Sequence, residues 1–113
     1  MKKWVALAAF LWPLACSGSE FLTRDLNEKC EATDVAPREL CTLFLLGLID
    51  GLIGADTSKD VVCPPKGISM DEVRLTYNRM MADDLKKIPF EINLPAGAAA
   101  ALILKRAYPC KKE

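Results

Sequence analysis

Histidine is absent from this 113-residue chain. That removes Ser/His/Asp and Cys/His nucleophile pairs, along with zinc sites that use imidazole. A basic excess is also lacking: 15 basic and 15 acidic side chains give a formal net charge of zero. Without a basic stripe, the chain does not read as a nucleic-acid binder. No C-x-x-C pair occurs, which argues against a thioredoxin-like redox site and against paired-cysteine zinc ligation. No apolar run reaches the roughly 20 residues that a membrane-spanning helix needs. No internal repeat and no low-complexity segment stands out.

What is present begins with "MKKWVALAAFLWPLACSGSE". Lys2 and Lys3 make a positive start, Trp4 to Trp12 an apolar core, and Pro13 with small residues an end. This is the pattern of a secretory signal peptide, assigned here to residues 1–17. Cutting after Ser17 fits Ala15-Cys16-Ser17; a lipoprotein site at Cys16 is the alternative, although Pro13 stands where such sites carry an aliphatic residue. Membrane attachment is expected only if Cys16 is acylated. Loss of Lys2 and Lys3 leaves a mildly acidic mature chain, and the periplasm is its expected location.

Five cysteines then resolve into four: Cys30, Cys41, Cys63 and Cys110. They are scattered, even in number and bound for an oxidising compartment, which favours two structural disulfides over a metal site. No cofactor and no metal are expected.

Apolar periodicity divides residues 20–110 into about four helices, an all-α bundle stapled by those disulfides. The first is read from Glu20 to Glu31 behind a Ser19 cap, with Phe21, Leu22, Leu26 and Cys30 on one side and Arg24, Asp25, Glu28 and Lys29 solvated. The second is read from Arg38 to Gly54, with Pro37 in its first turn. It is apolar over most of its circumference and so expected at the centre. Gly47 and Gly51 lie one turn apart and suggest that another backbone packs close. Asp50, amid apolar neighbours, reads as a partly exposed position or one held by a local hydrogen bond rather than as a functional carboxylate, since no general base is paired with it.

"VVCPPKGISMDEVRLTYNRMM" has no catalytic look and every mark of a helix start. Ser69 and Glu72 make a capping box, and Ile68 with Val73 a hydrophobic staple. Asp71 and Glu72 suit the helix dipole. Gly67 permits a turn that a side chain would oppose. Val73, Tyr77, Met80, Met81 and Leu85 form the apolar face, and Ile88-Pro89 ends the helix. Asn93 and Pro95 then open the last helix, whose Ala-rich run lets neighbours approach. Four cysteines allow three pairings. Antiparallel hairpins of helices one and two, and of three and four, predict Cys30–Cys41 and Cys63–Cys110.

Three blocks carry a resemblance: Cys41-x-x-Phe44-x-x-Gly47-x-x-Asp50, then Cys63-Pro64-x-x-Gly67-Ile68-Ser69, then Leu94-Pro95-Ala96 through Ala107-Tyr108-Pro109-Cys110. In that order and spacing the chain resembles the Rap/Tai-type periplasmic immunity proteins that act against type VI secretion amidase effectors. Phe44 departs from the Tyr that the family often has there. The resemblance implies an all-helical domain that binds and blocks a peptidoglycan amidase, its cognate effector. The expected function is thus a non-enzymatic toxin antagonist. The expected binding element is the polar 54–62 loop with Asp56, Lys59 and Asp60, and a homodimer is left open. The rivals are a helical periplasmic chaperone or acid-stress protein, a lipid-binding domain, and an enzyme. Asp83 and Asp84, adjacent in sequence, point to different sides and do not make a catalytic pair.

Overall fold

The computed structural model describes residues 20–55 and 62–110. The signal segment, Cys16 and the Ser19 cap lie outside the described residues, as do Asp56, Lys59 and Asp60. The described residues form the expected all-α bundle: α1 (Thr23–Cys30), α2 (Val35–Ala55), α3 (Met70–Lys87) and α4 (Ala96–Ala107). A 3-10 turn, Pro89–Asn93, joins α3 to α4.

α1 starts later than its periodicity suggests, because the backbone ahead of it is engaged elsewhere. Phe21 O accepts from Ala96 N at 2.9 Å, and Thr23 N donates to Leu94 O at 2.8 Å. Leu22 is the N-cap and has no polar side chain; its own N–H instead donates to Asp25 Oδ2 at 2.9 Å. An eight-residue helix is marginal by itself, so α1 depends on what holds it. Its far end is held by α3. Arg74 Nη1 and Asn78 Nδ2 both donate to Cys30 O, at 3.0 and 3.1 Å. These donors satisfy a terminal carbonyl that the helix itself leaves open.

α2 begins ahead of the expected Arg38, at Val35, and takes Pro37 into its first turn as anticipated. The segment ahead of α3 behaves as its sequence demands. Gly67 adopts φ +82°, Ser69 Oγ accepts from Glu72 N at 3.1 Å, and α3 ends at Lys87. Asn93 does not open α4; it closes the 3-10 turn, and Pro95 is the N-cap.

Both expected disulfides are present, Cys30–Cys41 and Cys63–Cys110, each with Cα atoms 5.0 Å apart. The second does not come from a strict antiparallel hairpin. Arg106 and Asp84 pair at 2.8 Å, which joins the last turn of α4 to the last turn of α3. The extended residues ahead of α3 reach α4 instead: Cys63 N donates to Tyr108 O at 2.8 Å, and Val62 bridges Pro109.

One core collects Leu26 and Cys30 from α1, Cys41, Leu45 and Ile49 from α2, and Val73, Tyr77 and Met81 from α3. From α4 come Ala96, Ala99, Ala100, Ile103 and Leu104. The alanines are almost fully buried, so the small-residue stripe does let its neighbours close in.

Candidate functional site

α2 is not central. Its inner side enters the core through Cys41, Leu45 and Ile49, with Phe44, Leu48 and Leu52 packed at the edges. Its outer side is open and still apolar. At 3.6 residues per turn, Leu40, Leu43, Leu46, Gly47, Asp50, Gly51 and Ile53 share an arc of roughly 160°, and all are exposed. Leu43, near the middle of this arc, is 62 % exposed. Gly47 and Gly51 were expected to face a close backbone; among the described residues a Cβ added at either would meet nothing within 4 Å. Asp50 is exposed, in line with the simpler reading of that residue. An exposed apolar patch of this kind marks an interaction surface.

Phe21 extends the patch. Its ring lies 5.5 Å from that of Phe44, with the planes inclined at 49°. The Phe44 that departs from the resembled family's Tyr therefore acts here through ring packing. At the other end, an open groove of about 270 Å³ runs between the starts of α2 and α3, lined by Val35, Arg38, Glu39, Thr42, Met70 and Asp71.

No group of three or more His, Cys, Asp or Glu side chains among the described residues is placed to hold a metal ion. No described helix is long and apolar enough to cross a membrane. Asp83 is exposed, while Asp84 is half-buried and paired with Arg106. The buried polar groups serve the fold. Tyr77 Oη donates to Asn27 Oδ1 at 2.7 Å. Burial, helped by the Glu91 and Glu31 carboxylates, holds the Tyr77 hydroxyl well above the usual phenol range. It therefore stays a donor. Glu91, only 5 % exposed, has an Oε1 with no hydrogen-bond partner. Burial and the nearby Asp84 carboxylate push its carboxyl above the usual range, with Arg106 opposing them.

The outer face of α2 was the surface that sequence reasoning missed. The available signal was that α2 is apolar nearly all round. Such a helix is either enclosed by its own chain or open to something outside it, and periodicity does not separate the two.

A small, doubly stapled helical domain with an open apolar face has the build of a binding module. The family model for Rap1a immunity proteins matches residues 22–110. The chain belongs to that family. It is an immunity protein, whose work is to bind a cognate effector. Neither the curated proteins nor the solved structures include a match.

Proposed function

We propose that this immunity protein is exported to the periplasm, where it binds a peptidoglycan amidase delivered by type VI secretion and blocks its cleft without chemistry of its own. Family membership across residues 22–110 is the observation that carries this reading. The start "MKKWVALAAFLWPLACSGSE" supports export, through cleavage near Ser17 or acylation at Cys16. Binding is assigned to the polar segment after α2, with Asp56, Lys59 and Asp60 as contacts and one effector per domain. Self-association accompanies effector binding in this reading, on a surface of its own.

Capture from periplasm with the mature chain as bait tests the reading, followed by hydrolysis assays on what is caught. A single cell-wall amidase, inhibited at equimolar protein, is the expected result. Replacing Asp56, Lys59 and Asp60 together by Ala should weaken the complex by on the order of tenfold or more, the effect of losing one anchoring contact. Unchanged affinity would move the interface elsewhere. Capture of many unfolded clients at acid pH, with no amidase among them, would replace immunity by the chaperone alternative.

A further inference from the structure

The turn between α3 and α4 is inside out. Glu91 is buried, and its Oε1 has no hydrogen-bond partner among the described residues. Ile88 and Phe90, just ahead of it, are 49 % and 58 % exposed. Burying a carboxyl and exposing a phenyl ring both cost free energy, so the exposed pair points to an apolar environment outside the chain. Cations flank the pair. Lys86 and Lys87 close α3 immediately before it, and both are exposed. Phe90 and Asn93, three residues apart, share one side of the 3-10 turn, and Arg24 Nη2 donates to Asn93 Oδ1. Arg24 is exposed and that partner is neutral, so its charge stays available. Of the nearby acids, Glu91 is withdrawn from the surface and Asp84 is paired with Arg106, which leaves Asp83 and Glu20 exposed. Lys86 and Lys87 also suit the dipole of α3, but the dipole accounts for neither Ile88 nor Phe90.

The amino end of the chain arrives at the same place. Phe21 O accepts from Ala96 N and Thr23 N donates to Leu94 O, so residues 21–23 run beside the end of the turn. Cys16 stands four residues ahead of Glu20, a reach of at most about 14 Å. An acyl chain on Cys16 would therefore bring this end of the domain to the bilayer. We propose that Ile88 and Phe90, with Lys86, Lys87 and Arg24, form a docking tip that seats the exported domain on an anionic lipid surface. The apolar side chains enter the boundary between headgroups and acyl chains, and the cations meet lipid phosphates. Such a tip holds a domain weakly, as does a single acyl chain; the two together make the pair of signals that stable attachment takes. The inference rests on the export reading and is independent of which residues meet the effector.

The test uses the exported, disulfide-bonded Cys16→Ser chain, to which no acyl group contributes, and vesicles of phosphatidylglycerol mixed with phosphatidylcholine. The mass of that chain shows whether residues 1–17 are gone, which checks export separately. Trp4 and Trp12 both lie in that segment, so Phe90→Trp gives the processed chain a single indole. Its emission should shift to the blue with these vesicles and stay unshifted with phosphatidylcholine alone. Leu75→Trp, on an exposed position of α3 about 17 Å along the helix from Lys86, should not respond. In co-sedimentation, Lys86→Glu with Lys87→Glu should weaken binding by on the order of tenfold or more, as should Ile88→Ser with Phe90→Ser. Added salt should weaken it as well. An indole at residue 90 that the anionic vesicles leave unshifted overturns the proposal. So does binding indifferent to either double substitution, or an equal response at residue 75. A shift at residue 90 seen only with a captured protein overturns it too, and makes the tip a protein interface. If a double substitution disturbs folding, the Phe90→Trp emission decides.

Discussion

Arg74 carries its charge into the interior, at 6 % exposed. Its guanidinium caps the Cys30 carbonyl and pairs with Asp71 at 3.0 Å. Arg74→Met should cost about 1–3 kcal/mol, the penalty for weakening a buried hydrogen-bond set, read as a lower urea midpoint. Arg74→Lys should recover only part of that, because an ammonium lacks the fork that serves both partners. Glu91 sets a pH dependence. Its folded-state carboxyl sits above the ordinary range. The proton it takes up therefore favours the folded state: the gain is complete below the unfolded pKa and is lost as pH rises through the folded one. Glu91→Gln should raise the melting temperature at neutral pH and flatten the melting profile between neutrality and the ordinary carboxylate range. An unchanged profile would mean that this carboxyl is solvated. Neither residue was legible in advance. Burial of a polar group is decided by neighbours distant in sequence, here Cys30 for Arg74.

Among the elements, α3 was the most legible, since Gly67, Ser69 and Glu72 each force a local geometry that needs no distant partner. α1 was the least, because residues around 94–96 set its start. The two staples show how local and global effects compete. Loop length alone credits the 11-residue closure with about 3 kcal/mol and the 47-residue one with about 4. Burial reverses the order for Ser substitution. Cys30 and Cys41 are fully enclosed, whereas Cys63 is exposed and Cys110 half-buried. Two hydroxyls left unpartnered in the core cost about 1–3 kcal/mol each. Cys30→Ser with Cys41→Ser should thus destabilise more than Cys63→Ser with Cys110→Ser. Graded reduction followed by alkylation and mass mapping should also find Cys63–Cys110 opened first. Simultaneous opening would mean that exposure does not govern access here.

For the whole molecule, the four-helix class followed from apolar spacing, and both cross-links were anticipated, although the hairpin of α3 and α4 assumed for Cys63–Cys110 is not what brings that pair together. The outward side of α2 did not, because an all-round apolar helix has two physical explanations. A second property of the whole is the clip that ties residues 21–23 to residues 94–96. A chain beginning at Glu20 should retain the full helical circular-dichroism signal and a cooperative melt. One beginning at Glu28 loses the clip and Leu26 together, and should melt at a markedly lower temperature or not cooperatively at all.

That clip also sets a clock. The Thr23 hydroxyl finds its partner, the Leu94 carbonyl, 71 residues further along the chain. At a synthesis rate of about 5–20 residues per second, the wait is roughly 4–14 s. Until Arg74 is made α1 has neither the clip nor that cap, and a helix of its length does not persist alone. Residues 21–30 therefore lack their stable native helix until the residues around 94 have been made. If the chain is exported as proposed, that delay leaves α1 without native tertiary structure to undo on the way.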